Sequence, residues 1–95
     1  MSRDDVGLYR IAGTERSGLL YIGEGRVVSR LLSHAKKRER PGHTQGVIFR
    51  EHSPLRFSCV TSCDWQKHHR LELENDLIGA HILSNGSIPA AQFLG

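Results

Sequence analysis

The first two apolar segments constrain the fold of this chain more than any other feature. "VGLYRIA" (residues 6–12) and "GLLYIG" (18–23) are short and rich in strand formers, and the polar run "GTERSG" separates them. Segments of that length are too short for helices that bury a face, and glycines bracket the polar run. The pattern predicts an antiparallel hairpin. The period then changes. Val27, Val28, Leu31, Leu32 and Ala35 recur at helical spacing between Arg26 and Arg38. "RPGH" at 40–43 ends that helix, because the residue before a proline is biased away from helix and Gly42 can take positive φ.

"TQGVIFREH" (44–52) reads as a second short helix with Thr44 as its N-cap. In "LRFSCVT" (55–61), Leu55, Phe57 and Cys59 alternate with Arg56 and Ser58, which predicts a strand. A long helix is expected from about Trp65 to Ile82, capped by Ser62 or Asp64. The tail "SNGSIPAAQFLG" is irregular but apolar enough to fold back. The order β-β-α-α-β-α predicts an α+β fold, a small, largely antiparallel three-stranded sheet flanked by helices, as one domain over 1–95.

At 38% hydrophobic and 24% charged residues, the composition is that of a soluble globular chain. No apolar run approaches the roughly 18 residues a membrane span needs, and "MSRDDVGLYR" lacks the apolar segment of a signal peptide. These features predict an intracellular, cytoplasmic protein without a membrane partner, with Cys59 and Cys63 as reduced thiols. Cys59, Cys63, His68 and His69 make a poor zinc set, since Cys59 lies on a predicted strand and no second ligand pair stands in register.

The net charge of +3 is unevenly spread. Arg26, Arg30, Lys36, Lys37, Arg38 and Arg40 face a single Glu39 in the same stretch. Winding 26–38 as a helix gathers Arg26, Arg30, His34 and Lys37 into a stripe opposite the aliphatic residues. Like charges one turn apart repel, so the stripe does not stabilise the helix. It is either a solvated face or an edge for a polyanion, and arginine can bind phosphate in bidentate fashion. On the long helix, Leu71, Leu73, Leu77 and Ile78 bracket Glu74, whereas Glu72 and Asp76 fall on the polar side. An unpaired carboxylate on an apolar face costs several kcal/mol, on the order of a buried ion's desolvation. Its partner is Arg70 one turn earlier, a charge from the first helix, or a divalent cation such as Mg2+.

Gly7, Leu8 and Tyr9 start the first strand, and Tyr21, Ile22 and Gly23 end the second. Arg30 follows on the first helix, His34 one turn later, and Glu74 stands in "LELENDLI" on the last helix. This ordered set resembles the GIY-YIG nuclease family, with leucine in place of the first isoleucine, over Val6 to about Asn85. Two positions depart from the pattern. Glu24 stands where many members carry lysine, and "HILSNGSIPAAQF" replaces a Pro-x-Tyr-Asn element of repair-type relatives, leaving Asn85 as a loose counterpart.

The resemblance implies single-step hydrolysis of nucleic-acid phosphodiesters, expected here to be DNA, with one Mg2+ or Mn2+, in a repair or restriction setting. It implies Glu74 as the metal ligand and Arg30 as the phosphate-binding cation. Tyr9 or Tyr21, its pKa lowered by nearby cations, would be the proton acceptor, with His34 assisting. Gly7 and Gly23 would leave room for backbone and substrate. Arg26, Lys36, Lys37, Arg38 and Arg40 are the expected nucleic-acid contacts, with Arg26 a candidate for the missing lysine's charge. A homodimer or a protein partner would supply specificity. The rival expectation is a non-catalytic nucleic-acid-binding module on the same scaffold.

Overall fold

A computed structural model describes residues 2–14 and 18–93. Its elements follow the expected order: β1 (Val6–Ala12), β2 (Leu19–Arg26), α1 (Val27–Arg38), α2 (Thr44–Glu51), β3 (Arg56–Thr61) and α3 (Lys67–Asn85). The sheet is antiparallel throughout, in the order β2-β1-β3. The fold is therefore the α+β arrangement that the sequence pattern predicts. Part of the expected hairpin loop, at 15–17, lies outside the described residues; Gly13 N–H donates to Gly18 O at 3.0 Å across it. No helix of the described residues is long and apolar enough to cross a membrane.

Register assigns the two faces of the sheet. Tyr9 pairs with Gly23 and Ile11 with Tyr21, so these four share the face that α1 covers. Leu8 pairs with Glu24 and Arg10 with Ile22 on the opposite face, where α3 packs. The core gathers on the first side, with Tyr9, Ile11, Leu20, Val27, Phe49 and Ala91 in one buried cluster.

Close approach explains two glycines. A Cβ on Gly7 would overlap the Val60 carbonyl of β3, and one on Gly23 would overlap the Tyr9 phenol. Gly7 thus lets the β3 backbone approach closely, as expected of it, and Gly23 makes room for the Tyr9 phenol.

The folded-back tail occupies the outer edge of β2. Gln92 accepts from Ile22 N–H at 2.8 Å and donates to Ile22 O at 2.9 Å, so its side-chain amide imitates a neighbouring strand. Ala91 N–H adds a bond of 2.8 Å to Leu20 O. Gln45, fully buried, donates to Ala91 O at 2.9 Å and ties the tail to α2.

Three local expectations are corrected. His43, not Thr44, caps α2, its Nδ1 accepting from Gly46 N–H at 3.2 Å. Gln66, not Ser62 or Asp64, caps α3, in a reciprocal box with His69. An imidazole or amide acceptor does the work that sequence rules assign to hydroxyls and carboxylates. On α1, Leu32 and Ala35 are exposed while His34 is buried. The helix is rolled so that the imidazole, and not Leu32, enters the space between the tyrosines and Phe49.

Candidate active site

The site forms where β2 runs out into α1. Val27 N–H donates to Asp5 O at 3.1 Å, which fixes the strand-to-helix junction. Arg26 occupies the N-cap position of α1 without a side-chain cap, and is exposed. One turn into the helix, the Arg30 side chain lies against Gly25, where an added Cβ would stand 3.2 Å from Arg30 Nε. Among the described residues no hydrogen bond or ion pair engages the Arg30 guanidinium. Its charge nevertheless acts on Tyr9, Tyr21, His34 and Glu74 together.

Behind Arg30 the aromatic groups stack closely. The rings of Tyr9 and Tyr21 lie 6.0 Å apart and nearly parallel. His34 sits 4.6 Å from the Tyr21 ring and edge-on to Phe49. The Tyr9 hydroxyl and His34 Nε2 are hydrogen-bonded at 2.9 Å in a buried pair. His34 is 5% exposed, and its Nδ1 is buried with no hydrogen-bond partner among the described residues. An imidazole so placed resists protonation: burial first, then the Lys37 charge, pulls its pKa down to about 4.

The phenols do not behave as expected. Burial is the largest effect on both and pushes both pKa values up, well above the ordinary range for Tyr9. Arg30 pulls each the other way but is outweighed, so neither tyrosine is a ready phenolate. This corrects the expectation of a cation-lowered phenol. Tyr21, half-buried, is the more accessible of the two.

Glu74 reaches this site from α3. It is half-buried and, among the described residues, makes no hydrogen bond or ion pair. Burial raises its pKa, Glu24 raises it further, and Arg30 partly opposes both. Arg70 does not pair with Glu74. It donates from Nε to Glu24 Oε2 at 3.1 Å and from Nη1 to Trp65 O at 3.1 Å. Glu24, at the position of the family's frequent lysine, is thus neutralised by an arginine that reaches it from α3. Arg26 is exposed and is not among the charges acting on the phenols or Glu74. Asn85 lies at the far end of α3 with its amide committed to His81.

The expected basic stripe is broken up. Lys37 is committed to Gln45 Oε1 at 3.0 Å, and His34 belongs to the core. Arg38 makes a loose pair with Glu39 at 3.5 Å. Lys36 and Arg40 stay exposed. Arg50 joins them, an addition the sequence reading missed. Its Nη1 donates to Arg38 O and Arg40 O at 2.8 and 3.1 Å, bracing the turn after α1. Its place on α2, beside that turn, is set by tertiary contact and left no signal in local spacing.

Among the described residues no group of three or more histidine, cysteine, aspartate or glutamate side chains is clustered as a set of metal ligands. A cavity of about 540 Å³ lies on the α3 side between Leu8, Val60, Leu77 and His81; of the site residues, only Tyr9 borders it. It is separate from the Arg30–Glu74 cluster. No protein-family model, curated protein or solved structure matches the chain.

Proposed function

We propose that the chain is a divalent-metal-dependent endonuclease of the GIY-YIG type, which hydrolyses phosphodiester bonds in DNA. The observation that carries this reading is the convergence of an unpaired guanidinium, Arg30, and an unpaired carboxylate, Glu74, on two phenols and an imidazole at one end of β2. A cation and an anion left apart, each without a partner of its own among the described residues, suit a ligand that carries both signs. A phosphate with its metal ion is such a ligand.

The donor chemistry fits a divalent cation. Glu74 is a hard oxygen donor, half-buried and unsatisfied, and Mg2+ is commonly held through one or two carboxylates with water and substrate oxygens. When bound, Mg2+ or Mn2+ would supply Lewis-acid stabilisation of the leaving oxygen. Arg30 binds the scissile phosphate and meets the charge that grows on its oxygens. Tyr21 orients the attacking water. Tyr9 and His34, hydrogen-bonded behind it at 2.9 Å, hold the phenols in place, and the water's proton goes on to bulk solvent, because burial keeps both the phenols and His34 neutral. Lys36, Arg40 and Arg50 extend the basic surface along the DNA backbone.

Conversion of supercoiled plasmid to nicked or linear forms, with Mg2+ or Mn2+ and with an EDTA control, tests this reading. Binding without cleavage would instead favour the non-catalytic module.

A further inference from the structure

The two outer edges of the sheet are finished differently. The tail covers β2 at Leu20 and Ile22. Among the described residues the free edge of β3 has no such cover. Ser62 N–H donates to Val6 O at 3.3 Å, which makes that residue pair a hydrogen-bonded one. By the alternation of antiparallel ladders, Leu8–Val60 and Arg10–Ser58 are also hydrogen-bonded pairs. Phe57, Cys59 and Thr61 therefore turn their N–H and C=O groups outward, and none has a hydrogen bond there among the described residues. The strand has no proline, lysine or bulge to blunt this edge, and Phe57 and Val60 are 50% and 60% exposed.

We propose that β3 pairs with the β3 of a second copy, antiparallel across a two-fold axis at Cys59, to join the two sheets into one. The strand is complementary to itself in this register. Cys59 meets its counterpart, Phe57 meets Thr61 and Ser58 meets Val60, so every outward-facing residue finds an outward-facing partner. A shift by two residues in either direction leaves some of those groups unpaired. Charge agrees with this choice: Arg56, the one charged residue of β3, falls opposite Ser62 and not opposite its own copy. Phe57 against Thr61 is also a favourable aromatic–β-branched pair. An isologous contact uses the same patch twice, and a self-complementary edge satisfies that condition. The partner is accordingly another molecule of this chain. The proposal is independent of the nuclease chemistry, since β3 carries none of the site residues.

The test is sedimentation equilibrium of the full chain in reducing buffer over a wide concentration range. Wild type should approach twice the chain mass. Phe57 and Thr61 are exposed, so substitutions there spare the monomer fold. Phe57→Lys with Thr61→Lys opposes like charges across the axis and should weaken the dimer by about tenfold or more. Phe57→Lys with Thr61→Glu places opposite charges there and should recover most of that loss. A monomer at every concentration, or a dimer that responds equally to both double substitutions, overturns the proposal.

Discussion

Arg70 reaches across from α3 to Glu24 on β2, with Nε 3.1 Å from Oε2 and each side chain little more than a tenth exposed. The pair decides the state of a third residue. With Arg70 committed to Glu24, Glu74 has no arginine of its own on α3 and faces the Arg30 side of the site unpaired. Removing the guanidinium would leave Glu24 buried beside Glu74. Arg70→Met should therefore destabilise the fold by about 3 kcal/mol, and adding Glu24→Gln should recover most of it. Urea denaturation of the single and double variants measures both values.

Glu74→Gln should leave the metal-free fold as stable as wild type or more stable. Burial and Glu24 raise the pKa of this carboxyl, so folding disfavours its charge, and removing that charge removes a cost. Thermal melts in EDTA compare the two chains directly. A large loss of stability in the variant would show that Glu74 is held by a structural cation and not left for a metal.

His34 gives the fold a pH dependence of known sign. Its folded pKa of about 4 lies below the ordinary 6.5, so the unfolded chain binds more protons between those values. Stability should be full above about pH 6.5 and fall by about 3 kcal/mol as pH drops to about 4. Glu74 contributes with the opposite sign, because its raised pKa favours the folded state as it takes up a proton. The His34 part is therefore read as the difference between wild type and His34→Gln, whose curve should be flatter across that window.

Much of this was legible in the chain itself. The switch from strand period to helical period after Gly23 gave the element order, and the tyrosines, Arg30 and Glu74 were singled out before any fold was known. Their chemistry was less legible. His34 lay on the polar stripe of α1 by winding alone, yet tertiary packing turned it into the core against Tyr21 and Phe49. The Arg70–Glu24 pair joins two elements far apart in sequence, so helix spacing offered Arg70 only as one of three partners for Glu74. Burial, which raises the phenol pKa values, depends on what covers them and has no local signature.

The salt dependence of DNA binding separates anchoring charges from structural ones. Lys36→Ala and Arg40→Ala should each flatten the slope of log affinity against log salt by about 0.9. Lys37→Ala should change the slope less, because its ammonium is engaged by Gln45. Fluorescence anisotropy at several salt concentrations gives the slopes.

The most direct test of the account is plasmid cleavage by wild type, Arg30→Ala and Glu74→Gln, each with Mg2+ or Mn2+ and each with EDTA, beside DNA-binding measurements on the same samples. The account predicts nicking by wild type only when the metal is present. It predicts loss of cleavage by orders of magnitude in both variants, with far smaller loss of binding for Arg30→Ala, since that residue acts on the charge of the transition state. Cleavage by Glu74→Gln at the wild-type rate, or metal-independent cleavage by wild type, would contradict it.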